Sequence, residues 1–130
     1  MKNVRQLFVM LAILVLLAGC GVPAVKLGYV SGTIKIDGQP APGIGVTFSP
    51  TASGGTTSSG YSDEQGRYEA AFTFRKKGVM LGENVASFSI PPGESSSTSK
   101  IKLPKKYSDG EGVIVNVKSG KQTIDFDLTN

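Results

Sequence analysis

The fold of this chain is decided by the stretch VSGTIKIDG, residues 30–38. Val30, Ile34 and Ile36 fall on one side of an extended strand, and polar residues fall on the other. The pair Asp37-Gly38 is a strong hairpin signal, because glycine accepts the positive φ that a tight hairpin turn requires. The stretch therefore predicts a half-buried strand that turns back on itself.

The same two-residue period recurs along the rest of the chain. Turn signals rich in Gly, Pro, Ser and Asp separate the alternating stretches, and no stretch after residue 17 keeps a helical period over three turns. One helical turn is predicted at residues 103–107, with Pro104 at its first position. The pattern predicts a single all-β domain, a seven-stranded antiparallel Greek-key β-sandwich. The predicted strands are residues 30–36, 43–48, 57–62, 68–74, 83–90, 113–117 and 124–128.

The strand registers also predict which side chains form the core. Residues on the apolar side of each alternating strand should face the opposite sheet, and a slip by one residue would reverse a whole set. Phe74 continues the alternation of Tyr68 and Phe72, so it is expected on the same inward face. The predicted core is Val30, Ile34, Ile36, Val46, Phe48, Tyr68, Phe72, Phe88, Val115, Val117, Ile124, Phe126 and Leu128.

The amino-terminal residues predict export. Lys2 and Arg5 precede an unbroken apolar run at residues 7–17. Its 11 residues have the length of a signal-peptide hydrophobic region and are too few to cross a bilayer as a helix.

Leu17, Ala18, Gly19 and Cys20 come at the end of this run and resemble the lipobox of bacterial lipoproteins. The resemblance implies cleavage before Cys20, a diacylglyceryl group on its sulfur and acylation of the new amino terminus. Membrane lipid would then be a partner, and the location would be the cell envelope, on the outer membrane or the exported face of the inner membrane. An ordinary secretory leader that ends near a free cysteine is the alternative. The predicted division is a signal peptide at 1–19, a lipidated tether at 20–27 and a sandwich domain at 28–130.

Composition narrows the possible chemistry. The sequence has no His, which excludes His-based catalytic triads and His metal ligands. Its single Cys has no partner within the chain, so no intrachain disulfide is expected. Without the leader the chain carries 12 basic and 10 acidic side chains, and this small excess gives no indication of a nucleic-acid partner.

Three stretches carry a family resemblance. Residues 30–40 (VSGTIKIDGQP), 43–48 (GIGVTF) and 62–68 (SDEQGRY) resemble the carboxypeptidase-regulatory-like, or transthyretin-like, sandwich domain. With residues 103–109 (LPKKYSD), they are similar to small lipoproteins of planctomycete-type bacteria. The resemblance implies an accessory or binding module with no general activity. Some transthyretin-like domains hydrolyse a purine-derived substrate using His, which this sequence lacks.

A cationic stretch is the predicted binding surface. One interpretation is that this stretch binds anionic lipid headgroups or envelope polysaccharide. The alternative is that it is a loop exposed to solvent with no binding role. Tyr107 either lines a ligand groove there or, with Leu103, closes one end of the sandwich. The residues are Lys100, Lys102, Lys105, Lys106 and Tyr107.

Other candidate chemistry has weaker support in the pattern. An internal isopeptide bond from Lys35 to Asp125, Asp127 or Asn130 needs a dry core, whereas strand parity points Lys35 and both aspartates outward. The acidic pairs Asp63-Glu64 and Asp109-Glu111 match no calcium-loop pattern and are expected to form turns. No catalytic residue, metal ligand or cofactor is predicted.

These observations favour a non-enzymatic, lipid-anchored accessory or binding module at the membrane surface. The expected partners are membrane lipid and an envelope polysaccharide or protein, with no nucleic acid. A self-associating structural protein of the envelope is one alternative, because an exposed strand edge can pair with another copy. An enzyme with an unrecognised carboxylate site is the other.

Overall fold

The alternating stretch forms the longest strand, β1 (Leu27–Ile36), in the computed structural model, which describes residues 25–92 and 101–130. Val30 and Ile34 are buried and Lys35 is exposed, as the two-residue period requires. Asp37 and Gly38 both have positive φ, 50° and 78°, and the two-residue strand β2 (Gln39–Pro40) pairs antiparallel with the end of β1. The predicted hairpin is confirmed.

The remaining elements are short and are almost all strands. In chain order they are β3 (Gly45–Pro50), β4 (Ser58–Tyr61), β5 (Arg67–Glu69), β6 (Ala71–Thr73), β7 (Lys76–Lys77), β8 (Val79–Met80), β9 (Gly82–Ser89), α1 (Lys105–Ser108), β10 (Val113–Val117), β11 (Gly120–Thr123) and β12 (Phe126–Leu128). The helical turn expected at 103–107 is confirmed as α1, one residue beyond Pro104, which is its N-cap.

Two sheets pack face to face. In the first sheet β1 is central, with β11 and β12 along one edge and β2, β5 and β8 along the other. The second sheet has the order β10-β9-β3-β4-β6-β7, and its described pairs are antiparallel. The predicted all-β sandwich is confirmed.

The seven-stranded antiparallel arrangement is not confirmed, because the carboxy-terminal strands run parallel to β1. Gly28 pairs with Gly120 and Ile34 with Phe126, so β11 and β12 follow one constant register. Alternation of apolar residues specifies the buried face of a strand but not its neighbour or direction. The parallel pairing therefore had no signal in the hydrophobic pattern.

Gly32 permits this parallel contact. A Cβ atom at Gly32 would collide with the carbonyl oxygen of Ile124, and the Ile124 N–H donates to the carbonyl of Ser31 at 2.8 Å. The Thr33 N–H is satisfied by the Asp125 carboxylate at 2.8 Å. The first and last strands therefore meet closely because β1 lacks a side chain at that point.

The predicted core is largely confirmed. Nine of its 13 members are buried, which shows that most strand registers were assigned to the correct face. The other four, Ile36, Phe72, Val115 and Ile124, are partly buried. Ala41 and Val79 are also buried, at 1% and 0% exposure, although they lie outside any predicted alternating strand.

Phe74 was expected on the inward face and is fully exposed, at 103%. The predicted strand 68–74 is divided: β5 pairs with β1 in the first sheet, whereas β6 pairs with β4 and β7 in the second. The chain turns after Thr73, so Phe74 lies in the turn rather than on the strand face. The expectation for Phe74 is wrong because the alternation was extended across a change of sheet.

Candidate functional site

The predicted cationic surface is partly occupied by contacts within the chain. The Lys105 Nζ lies 2.7 Å from the Asp109 carboxylate, and the Lys106 Nζ lies 4.9 Å from the centre of the Tyr107 ring. Lys102 is exposed, and Lys100 lies outside the described residues. A binding role for these lysines stays a prediction, with two of them already engaged.

Tyr107 belongs to the core rather than to a groove. It is 8% exposed and packs edge-on against Phe88, with ring centres 5.6 Å apart. Leu103 is partly buried against the same core. The burial of Leu103 and Tyr107 favours their interpretation as the closure of one end of the sandwich over a groove lined by Tyr107.

The first sheet carries an open groove on its outward face, called here the first-sheet groove. Tyr29 and Tyr61 border it and are 53% and 65% exposed. Tyr29 points outward because it alternates with the buried Val30 along β1. The Tyr61 ring lies over Gly45 of β3, where a Cβ atom would come within 3.3 Å of the ring. Tyr61 belongs to β4 of the second sheet, so one exposed tyrosine from each sheet borders the groove.

Polar side chains from three strands line the rest of this groove. Ser31 of β1 is paired with Glu69 of β5 on one side and with Thr123 of β11 on the other. Thr33 is paired with Arg67, and Tyr29 with Lys121. Opposite charges alternate with small hydroxyl groups, so the groove offers hydrogen-bond donors and acceptors without a strong net charge.

Ion pairs and turn bonds hold the charged residues of the groove. The Asp63 carboxylate accepts the N–H groups of Gln65 and Arg67, both at 2.9 Å, and lies 3.6 Å from the Arg67 side chain. The Lys77 Nζ lies 3.0 Å from the Glu69 carboxylate. These side chains are about half exposed or more, so the pairs contribute little to stability and stay open to a ligand. The expected role of Asp63 in a turn is confirmed.

Tyr68 borders the same groove but is buried, and its hydroxyl donates to the Ile124 carbonyl at 2.5 Å. Burial, and secondarily the negative charge of Asp125, raises the pKa of Tyr68 well above its ordinary value. The phenol therefore stays protonated. It serves as a fixed donor that ties β5 to the segment between β11 and β12.

The acidic residues of the described ranges are all exposed. In residues 25–92 and 101–130, no group of three or more His, Cys, Asp or Glu side chains is placed to hold a metal ion. Lys35, Asp125 and Asp127 are solvent-exposed as strand parity predicted, which is unlike the dry core that an isopeptide bond needs. The Asp127 carboxylate instead accepts the Gly38 N–H at 3.1 Å and supports the hairpin.

Tyr29 and Tyr61 were missed as site residues. Both had a signal in the sequence, since each is an aromatic residue on the polar side of a strand whose other side is buried. The pairing of β5 and β11 with β1, which completes the groove, could not be read from alternation.

No protein family, curated protein or solved structure matches this chain. The resemblances to transthyretin-like domains and to lipoproteins therefore stay predictions. Within the part of the chain that the structure describes, no helix is long and apolar enough to cross a membrane. Leu17, Ala18, Gly19 and Cys20 lie outside that part.

Proposed function

We propose that the protein is a lipid-anchored envelope lipoprotein, a non-enzymatic binding module that contacts envelope polysaccharide through the first-sheet groove. The observation that carries the proposal is the pair of exposed tyrosines that border the groove, Tyr29 on β1 of the first sheet and Tyr61 on β4 of the second. A tyrosine offers an apolar ring face and a polar tip, which suits the CH face and the hydroxyl groups of a sugar. The near balance of charge in the groove favours a neutral or weakly charged polymer.

The lipid anchor rests on the lipobox resemblance and is supported by the position of the sandwich. β1 begins at Leu27, so only the six residues 21–26 separate Cys20 from the first strand. The seven steps along the backbone from Cys20 to Leu27 span at most about 25 Å when fully extended. A lipid on Cys20 would therefore hold the sandwich close to the membrane, within reach of polymers that lie against it.

A binding role is favoured over catalysis by the environment of the carboxylates. General acid-base work at neutral pH needs a carboxyl group whose pKa is shifted by burial or by a close like charge. The described Asp and Glu side chains are exposed, and Asp63, Glu69 and Asp109 each face a basic partner. Solvated, ion-paired carboxylates suit hydrogen bonding to a ligand better than proton transfer.

Replacing Cys20 with serine should release the protein from the membrane or leave it unprocessed. Two or three acyl chains anchor a protein durably, at about 0.8 kcal/mol per buried CH₂, and serine offers no thiol for lipidation. Membrane fractionation and intact-mass measurement of Cys20→Ser against wild type would test this. Val25→Ser, which changes an exposed residue after the anchor, should remain membrane-bound. Normal processing and retention of Cys20→Ser would refute the lipid anchor.

Replacing both Tyr29 and Tyr61 with alanine should weaken polysaccharide binding about tenfold or more, since an aromatic anchor at a binding site typically contributes more than about 1 kcal/mol. The measurement is co-sedimentation of the detergent-solubilised full chain with insoluble polysaccharide extracted from the producing cells. Phe74→Ala is the matched control, because it removes an exposed aromatic ring outside the groove. Equal binding by the double variant and the control would exclude the groove as the binding site.

A further inference from the structure

The two outer strands of the second sheet are protected very differently. β7 at one edge is two residues long, and both of them are lysines. β10 at the other edge reads VIVNV, residues 113–117, with no charge and no proline. Native proteins usually blunt an exposed edge with charge, proline or short length, because its unpaired backbone groups accept another strand. β10 has none of these protections within its five residues.

The orientation of β9 determines which backbone groups of β10 are unpaired. The Thr51 N–H donates to the Glu83 carbonyl at 3.0 Å, so the polar backbone groups of Glu83 point toward the β3 side of β9. Backbone groups of successive residues in a strand point to alternate sides. Those of Gly82 and Asn84 therefore point toward β10.

Gly82 pairs with Val117, and Asn84 pairs with Val115. The backbone N–H and C=O groups of these two valines form hydrogen bonds with β9. The intervening Asn116 therefore directs its own N–H and C=O away from the sheet. Ile114 does the same by the same alternation, and its side chain is 68% exposed. Within residues 25–92 and 101–130 no strand pairs with this side of β10, so two donors and two acceptors lie along it.

The open stretch ends at Lys118. Its N–H donates to the Gln122 side-chain oxygen at 3.0 Å, and its carbonyl accepts from the Gln122 side-chain nitrogen. The backbone groups of Lys118, which follow the same alternation, are therefore satisfied within the chain. The unpaired edge is confined to β10 itself.

We propose that two copies of the chain associate through β10, antiparallel, about a two-fold axis at Val115. In this register Ile114 lies opposite the partner's Asn116 and Asn116 opposite the partner's Ile114. The four unpaired groups of each copy are then used in four backbone hydrogen bonds across the axis. This centring pairs every residue of β10 with a residue of the same strand, which is the self-complementarity that a two-fold interface requires.

The association goes beyond polysaccharide binding and is compatible with it. The first-sheet groove is formed by β1, β5 and β11, their flanking turns and Tyr61 of β4, and none of its lining residues belongs to β10. A dimer would present two grooves and two amino-terminal anchors. Linked sites bind a repeating polymer more tightly than either site alone when both can engage it.

Disulfide cross-linking tests the register. In the full-length Cys20→Ser chain, an introduced cysteine is the only thiol. In Val115→Cys, the introduced cysteines of the two copies would lie directly opposite each other as a non-hydrogen-bonded pair. Their Cα atoms would be about 4.5 Å apart, a separation that a disulfide can bridge. Val113→Cys is the matched control on the same strand face, because its copy would lie about 13 Å away, four residues along the strand.

Under copper-phenanthroline oxidation in detergent, Val115→Cys should form disulfide-linked dimer at a rate at least tenfold above that of Val113→Cys. Equal rates would overturn the proposed register. The absence of cross-linked dimer in both variants would overturn the association.

Light scattering with size exclusion supplies the independent measurement. The wild-type chain in detergent should have the protein mass of a dimer, and Ile114→Lys should reduce it to a monomer by placing charge on the open edge. Phe74→Lys makes the same apolar-to-charged change at an exposed site away from β10 and should remain dimeric. A monomeric wild type, or a dimeric Ile114→Lys, would overturn the proposal.

Discussion

Replacing Phe48 with alanine should lower the free energy of unfolding by about 3–5 kcal/mol, the range for truncating a buried large aromatic side chain. Phe48 is 0% exposed and lies on β3 of the second sheet. Its ring centre is 6.2 Å from those of Tyr68 and Phe126, which belong to β5 and β12 of the first sheet. The alanine variant would leave a cavity where the two sheets meet. Domains of this size are stable by only about 5–15 kcal/mol, so the loss is severe.

Urea unfolding of the full chain in detergent, followed by tyrosine fluorescence, is the measurement. The urea concentration at the midpoint should fall, whereas the slope of the unfolding free energy against urea concentration should stay the same. That combination indicates a change in stability and not in the surface exposed on unfolding. Phe74→Ala is the control, because it removes the same ring from a fully exposed turn and should change stability by about 0.5 kcal/mol or less. Equal midpoints for Phe48→Ala and the wild type would contradict the central place of Phe48 in the core.

Much of this core could be predicted because local signals and burial agree. Alternation around Val46 and Phe48 places both on the inward face, and both are 0% exposed. The turn at Asp37-Gly38 was predictable because few residues adopt positive φ at low cost. These features depend on residues close together in the chain, so the sequence expresses them directly.

The pairing of distant strands could not be predicted in the same way. Gly32 permits the close approach of the Ile124 backbone, yet the two are far apart in sequence, and an isolated glycine in a strand also fits a bulge or a bend. The division of 68–74 between two sheets depends on which strands lie beside it, and it reverses the expectation for Phe74. Alternation defines a face, whereas the partners of that face are set by packing of the whole domain.

The candidate site, like the fold, has parts that the local sequence predicts and parts that depend on the pairing of distant strands. The lysines near α1 were proposed from a local cationic stretch of the sequence, and the structure places Lys105 and Lys106 against Asp109 and Tyr107. The first-sheet groove needs residues from β1, β5 and β11 together, and only the pairing brings these strands side by side. The lipobox is a local signal whose assignment rests on the sequence, and the fractionation of Cys20→Ser tests it without reference to the fold.

Tyr107→Ala should have the second large effect on stability, a loss of about 3 kcal/mol, near the low end of the range for large aromatic side chains because Tyr107 lies at the end of the sandwich. Its ring meets Phe88 edge-on at 5.6 Å, and Phe88 in turn meets Phe126 at 4.9 Å. Such pairs contribute about 0.5–1.5 kcal/mol beyond burial of area. The ring of Tyr107 therefore extends the central aromatic cluster to the α1 end of the domain.

Tyr107→Phe separates the ring from its hydroxyl. If closure of the sandwich is the role of Tyr107, the phenylalanine variant should unfold within about 1 kcal/mol of wild type, because the ring and its contact with Phe88 are retained. Polysaccharide binding should be unchanged in Tyr107→Phe, since the first-sheet groove does not include this residue. An unchanged urea midpoint in Tyr107→Ala would refute closure of the sandwich by Tyr107. Loss of binding in a Tyr107→Phe chain of normal stability would instead move the ligand to the α1 end, where Lys105 and Lys106 lie.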